Sequence, residues 1–259
     1  VFVDVDPETY NIDPADAAAK VTSKTVGLIG VHLYGRPFDV DAILDVCGRN
    51  ALWMMEDAAQ AHGAKWRGQR VGGFGRIAAW SFYPTKNLGA WGDAGAITGN
   101  EPVLVEKSRR QGNHGQAHRY HHLEIGTNSR LDSLQAAVLN CRLPHLDADN
   151  ASRRALAARY LQNLAGVGDL RFPPDRPEVE AVYHQMTIAT PRRDELQKFL
   201  ADRDIGSSVH YPSPLHLQPA LASSGPPPDL PIATRAAQEV LCLPMFPELT
   251  AAEVDHVCE

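Results

Sequence analysis

Four short β-favouring runs fall between residues 26 and 98, and their spacing does most to restrict the fold. They are Val26–Val31, Ala51–Met55 (closing on Glu56-Asp57), Ile77–Phe82 and Gly95–Thr98. Between the first two lies a stretch, residues 39–48 (DVDAILDVCG), with apolar residues at helical spacing and Gly48 as a C-cap. Strand–helix–strand alternation at this pitch predicts an α/β domain with a largely parallel sheet. Val1–Val5 reads as a further strand. In such sheets ligands collect beyond the carboxyl ends of the strands. Asp57 and the Ser81–Lys86 segment both stand just past a predicted strand, and that placement singles them out.

The second half reads differently. Residues 131–164 are helical and rich in Ala, Leu and Arg, with Pro144 separating two helices or kinking one. Strands are expected at Val182–Ala189 and Ser207–Tyr211, with a helix over 194–203 between them, which makes a smaller α+β unit. Residues 223–231 (SSGPPPDLP) form a loop. A short helix is expected over 234–242 and another over 250–258, with Thr250 and Glu253 at capping-box spacing. The division that follows is 1–145 for a large domain and 146–259 for a small carboxy-terminal one.

Composition narrows the function. A formal charge of −6 with scattered basic residues supplies no face for nucleic acid. No apolar run reaches the length of a membrane span. The four cysteines, Cys47, Cys141, Cys242 and Cys258, show no CxxC pair. Reduced thiols in a cytoplasmic protein are the plain reading, and no metal site is expected. His118 and His122 would share one helical face, but Gly112 and Gly115 argue for loop nearby. Arg130 and Asp132 suit a structural ion pair.

The densest chemistry lies in residues 80–95 (WSFYPTKNLGAWGDAG), which place Ser81, Tyr83, Thr85, Lys86 and Asn87 among glycines just after a strand. A partly desolvated lysine has a lowered pKa and attacks carbonyl carbon. Hydroxyls and backbone N–H groups suit a phosphate. A solvated lysine on a surface turn has the same local composition, so this segment alone leaves both readings open. Residues 56–64 (EDAAQAHGA) add a carboxylate, Asp57, followed by alanines small enough to let a flat ring approach the backbone. A carboxylate there can pair with a protonated ring nitrogen. An N-cap role for Asp57, an exposed amide for Gln60 and a structural role for His62 are the alternatives.

Taken in order, EDAAQAHGA, SFYPTKNLGAWGDAGAI, NHG, the RY…IGTNSRLDSLQAAVL stretch, HYPSPLH and LCLPMFPEL resemble the DegT/DnrJ/EryC1/StrS family of sugar aminotransferases. The resemblance runs from the first residues to the last. It implies fold type I of the pyridoxal-phosphate enzymes: a three-layer, aspartate-aminotransferase-like large domain with a mixed, mostly parallel sheet, and a smaller α+β carboxy-terminal domain. It implies pyridoxal 5′-phosphate as cofactor. Lys86 would hold it as a Schiff base and then act as acid–base group. Asp57 would keep the pyridine nitrogen protonated, Gln60 would lie against the ring hydroxyl, and Ser81 would bind the phosphate. Asn128 would reach the partner subunit's phosphate across a homodimer with shared active sites. His210, Tyr211 and His216 would approach the sugar.

The implied reaction moves an amino group from L-glutamate or L-glutamine to a keto group of a nucleotide-linked sugar. Lysine at position 86 separates the chain from relatives that carry histidine there and dehydrate instead. Two other readings keep their place: the same chemistry on an aminocyclitol-type ketone, and a truncated non-catalytic dimer partner. The second is motivated by the expectation that a segment before Val1, with a phosphate loop and a stacking aromatic, is missing from this sequence.

Overall fold

The computed structural model describes residues 1–259, with the side chains of residues 222–224 left aside. Its strands are β1 (Gly27–Val31), β2 (Trp53–Asp57), β3 (Lys65–Trp66), β4 (Gln69–Arg70), β5 (Ile77–Ser81), β6 (Gly95–Gly99), β7 (Gln116–His118), β8 (His121–His122), β9 (Val179–Glu180), β10 (Met186–Ala189) and β11 (Val240–Leu243). Its α-helices are α1 (Pro14–Ala19), α2 (Val40–Arg49), α3 (Pro102–Gln111), α4 (Ser133–Arg142), α5 (Leu146–Asn163), α6 (Arg193–Ala201), α7 (Pro231–Glu239) and α8 (Ala251–Cys258).

The main sheet runs β1-β2-β5-β6. β1, β2 and β5 are parallel, and β6 turns back antiparallel to β5. The sheet is therefore mixed and mostly parallel, as expected. α2 makes the crossover from β1 to β2. Asp39 caps it by accepting from the Ala42 amide at 3.0 Å. Val40, Ile43 and Val46 recur on one face and are buried against Leu28, Phe38 and Met54. Each such side chain contributes roughly 1.5–3 kcal/mol when buried. On the opposite face of the sheet, Ile29, Val31 and Ile97 are exposed in this chain.

A second core is drawn from α5, α6, α8 and the β10–β11 pair, and centres on Tyr160, Met186, Ile188 and Leu241. Pro144 lies in a 3-10 turn between α4 and α5, so it separates two helices. Thr250 and Glu253 form the expected capping box at α8. Among the described residues no helix is long and apolar enough to cross a membrane.

Several expected elements differ. Val1–Val5 is no strand, only a single bridge between Val5 and Ile12. There the Asp6 side chain accepts from the Thr9 amide and closes a turn instead. Gly48 lies inside α2, and Asn50 is the cap. The strand over 182–189 begins only at Met186, because the Val182 amide is taken by the Gly35 carbonyl. Residues 207–211 reduce to one bridge, Ser208 to Cys242. The helix over 234–242 starts at Pro231 and stops at Glu239, since the apolar run Val240–Leu243 pairs with Met186–Ala189 and is buried throughout. His118 and His122 sit on a β7–β8 hairpin, where successive residues do not share a helical face. Arg130 donates to Asn128 (3.0 Å) and does not pair with Asp132.

Candidate active site

Register brings the two suspect segments together. Asp57, the last residue of β2, faces Val31 on one side and Ala79 on the other. Parallel pairing of β2 and β5 therefore places the loop after Ser81 beside the loop after Asp57. The 82–90 turn closes tightly: the Lys86 amide donates to the Tyr83 carbonyl (2.9 Å) and the Ala90 amide to the Phe82 carbonyl (2.7 Å). At Gly89 a Cβ would come within 2.5 Å of the Pro84 carbonyl oxygen, so no side chain fits there. The turn thrusts Lys86 into a cavity of about 830 Å³. One wall carries Gln60, Ser81, Tyr83, Thr85 and Lys86; His184, Gln185, Ser208, His210 and Tyr211 stand on the other. The cavity thus opens between the sheet and the second core.

Lys86 is half-buried. Burial lowers its pKa, while the Asp57 carboxylate pulls the other way, and the net shift is downward. His210 is lowered by burial and then by Lys86. His62 is pushed down to about 4 by burial and by Lys86. Neither ring nitrogen of His62 has a hydrogen-bond partner among the described residues; the Ser81 backbone lies near enough to favour the charged form slightly, short of such a bond. Tyr211 is raised by burial and by Asp57.

The expected site residues fall into three groups. Lys86, Gln60, Ser81, His210 and Tyr211 line the cavity. Gln60 is buried, and its Oε1 accepts from the Tyr34 amide (2.6 Å), so its carbonyl end is already engaged. Asp57 lies just behind the cavity wall; its Oδ1 accepts from the Ala59 amide (3.0 Å) and its charge is felt at Lys86 and Tyr211. Asn128 and His216 lie elsewhere. Asn128 is exposed on the loop before α4. His216 is buried, with Nε2 3.4 Å from the Thr234 hydroxyl.

Sequence reasoning missed His184, Gln185, Ser208 and Cys242 as lining residues. The first two looked like the interior of a strand, and nothing in their spacing marked them.

The residues present fit pyridoxal phosphate on their chemistry. A half-buried amine with lowered pKa suits an aldehyde. A carboxylate behind the wall suits a protonated heteroaromatic nitrogen, and the hydroxyls of Ser81, Tyr83 and Thr85 suit a phosphate. The alanines Ala58 and Ala61, expected to admit a flat ring, are fully buried instead and pack against Val71 and Val182 behind the wall. The volume lies in the range of small-molecule sites, about 300–1,000 Å³.

An α/β sheet with a lysine delivered to its carboxyl edge defines a class of carbonyl–amine enzymes, and sequence comparison then fixes the family. The chain belongs to the DegT/DnrJ/EryC1/StrS aminotransferase family, whose model matches residues 1–259. It is 50% identical over its whole length to a "Pleiotropic regulatory protein" of Geobacillus stearothermophilus, of which it spans 70%. It is 48% identical over 96% of its length to dTDP-3-amino-3,4,6-trideoxy-alpha-D-glucose transaminase of Streptomyces venezuelae, spanning 66% of that protein. Among solved structures it resembles S. venezuelae DesV in complex with a ketimine intermediate, with TM-score 0.96 and 45% identity. That match covers all of this chain and 70% of the other.

Proposed function

We propose that this protein is a pyridoxal 5′-phosphate-dependent aminotransferase that moves an amino group from L-glutamate or L-glutamine to the keto group of a nucleotide-linked sugar. The observation that carries the reading is the half-buried Lys86 inside the cavity, with Asp57 behind it. The naming of a similar protein as a dTDP-sugar transaminase supports the substrate class. When bound, the cofactor supplies an electron sink for the pair left as a C–H bond beside nitrogen breaks.

The chain's own residues do the rest. Lys86 would hold the cofactor through its Nζ and would serve as the group that moves the proton, a role that its lowered pKa suits. Asp57 holds a proton on the ring nitrogen. Gln60 orients the ring's oxygen edge. Ser81 takes the phosphate, with Thr85 within the same turn. His210 and Tyr211 meet the sugar from the opposite wall.

The two largest clusters of buried residues fall on either side of position 145 and support a division into a cofactor-binding part, 1–145, and a smaller part, 146–259. A homodimer with shared sites is supported by exposed apolar residues around Asn128: Ile125 is 98% exposed and Leu134 66%. Four free cysteines suit a reducing compartment, and the cytoplasm is the location we assign.

The test is spectroscopic. Purified protein with pyridoxal phosphate should show the near-visible band of lysine-bound cofactor, and L-glutamate should convert it to the pyridoxamine form. Borohydride before glutamate should fix a phosphopyridoxyl group on the peptide containing Lys86. Label on another lysine, or unchanged turnover in Lys86→Ala, would end the proposal.

A further inference from the structure

Lys86 and Asn87 are neighbours with opposite destinations. Lys86 lines the cavity, whereas Asn87 is buried and enters a closed run of hydrogen bonds. Asn87 Nδ2 donates to Asn150 Oδ1 (2.8 Å) and to the Val182 carbonyl (3.0 Å). Asn150 Nδ2 in turn donates to the His62 carbonyl (2.8 Å). Both hydrogens of the Asn87 amide are thus committed, and its Oδ1 can only accept. The remaining contact, His184 Nδ1 to Asn87 Oδ1 at 3.1 Å, therefore requires the hydrogen to sit on Nδ1.

That assignment leaves His184 Nε2 as a bare lone pair. The ring is neutral: burial, then Lys86 and Arg153, hold its pKa down to about 3. His184 lines the cavity beside Lys86, and with Nδ1 turned back to Asn87 the nitrogen left for the cavity is Nε2. His210, on the same wall, has the opposite tautomer. Its Nδ1 receives Gln185 Nε2 (2.9 Å), while Gln185 Oε1 is occupied by the Cys242 thiol (3.3 Å). The hydrogen of a neutral His210 then sits on Nε2. One wall of the cavity so offers a fixed acceptor and a fixed donor.

We infer that His184 is a ligand-binding residue whose Nε2 accepts a hydrogen bond from an amino or hydroxyl group of the ligand held beside Lys86, with Asn87 fixing the acceptor's state. This rests on the reading of the cavity as the cofactor site. It explains why the residue after the lysine is an asparagine with no open polar atom: the backbone that carries Lys86 also sets the tautomer opposite it.

Histidine-labelled protein without cofactor, read by ring-nitrogen NMR at neutral pH, should show His184 neutral with hydrogen on Nδ1. A hydrogen on Nε2, or a charged ring, overturns the inference whatever the cofactor does. Pyridoxamine 5′-phosphate (an amine) and pyridoxine 5′-phosphate (a hydroxyl) are then added separately. Either probe should move the bare Nε2 resonance upfield. Binding that leaves this resonance in place overturns the inference alone, while failure of both probes to bind overturns the cofactor reading with it.

Two variants separate positioning from mere structure. His184→Asn keeps a donor near Nδ1 and loses the acceptor; it should retain the wild-type melting temperature but bind pyridoxamine phosphate about five-fold more weakly, the effect of one lost hydrogen bond. His184→Gln reaches the Nε2 position and should restore part of that affinity. If His184→Asn binds the probe as the wild type does, the acceptor role is wrong.

Discussion

Glu56 and Asp57 are consecutive at the end of β2, yet their carboxylates lie on opposite faces of the sheet. Strand alternation alone produces this. Asp57 faces the site side and its charge reaches Lys86. Glu56 is fully buried on the other face. It accepts from the amides of Gly72 (2.7 Å), Phe74 (2.8 Å) and Gly75 (2.8 Å), and from His32 Nε2 (3.1 Å). One carboxylate faces the side of the cavity, and its neighbour ties down the 72–75 loop that leads into β5.

Glu56→Gln should therefore destabilise the fold by about 2–3 kcal/mol at neutral pH, as expected for bonds to a buried charge. Burial raises the Glu56 pKa, but the donors from His32, Gly75 and Gly72 outweigh it, and the net shift is downward. A depressed carboxylate stabilises above its unfolded pKa of about 4.3 and loses that contribution as pH falls through the folded value. Urea unfolding at several pH values should show the gap between wild type and variant shrinking below about pH 4.3. A constant gap would mean that charge is irrelevant to this loop.

Asp4 joins the beginning of the chain to α7. Its Oδ1 accepts from the Ala233 amide (2.8 Å) and its Oδ2 from the Ile232 amide (3.0 Å), which are unpaired donors in the first turn of that helix. Asp4→Ala should cost about 1–2 kcal/mol, and hydrogen exchange should accelerate at Ile232 and Ala233 before it does elsewhere. Unaltered exchange at those amides would show that the cap contributes nothing.

That contact also marks where sequence reading stopped. Val1–Val5 has the composition of a strand, and no local rule reveals that Asp4 will cap a helix more than two hundred residues away. Local signals worked where local physics decided: Thr250 and Glu253 formed their capping box, Pro144 ended α4, and four runs became the main sheet. They failed where tertiary pairing decided. Val240–Leu243 continues a helical pattern, but a fully buried position opposite Met186–Ala189 draws it into β11. The site was legible by halves for the same reason. Ser81 and Lys86 stand in one dense motif at the end of β5 and Gln60 in a second just past β2, whereas His184 reaches the cavity through the packing of residues 181–185 against residues 34–35.

His62 gives the protein an acid sensitivity that can be traced to one ring. It is buried between Trp80 and Phe82, at centroid distances of 5.3 and 5.6 Å. Burial first, and then Lys86, hold its pKa down to about 4. The unfolded chain protonates this ring below about pH 6.5, while the fold keeps it neutral, so stability falls as pH drops below 6.5 and levels off only beneath the folded value. In cofactor-free protein, His62→Met should remove this ring's share of that slope and leave the share of His184, which is held down to about 3. Between pH 7.5 and pH 5 the variant should gain about 2 kcal/mol relative to wild type. Parallel stability curves for the two proteins would show that His62 is not the titrating group.

The stretch around Asn128 presents an apolar surface to solvent. Tyr120, Leu123, Ile125 and Leu134 are large, apolar and solvent-facing within a short span of sequence, and Trp91 (77% exposed) is brought near them by the bond from its amide to Gln135 Oε1 (2.8 Å). Scattered exposed apolar residues are ordinary, but this density is what a buried contact with a second copy requires. Asn128 shares that stretch, and the only side-chain hydrogen bond it makes among the described residues is with Arg130, which leaves its amide nitrogen for another surface. If the proposed homodimer uses this face, Ile125→Asp combined with Leu134→Asp should shift the protein toward monomer in sedimentation velocity. The folded core should be untouched, because neither side chain is buried within the chain. Pyridoxal phosphate affinity should fall together with the dimer, since Asn128 would act on the partner's site, and Asn128→Ala should weaken cofactor binding while leaving the dimer intact. A monomeric double variant that binds cofactor as tightly as the wild type would separate dimerisation from the site and remove the role assigned to Asn128.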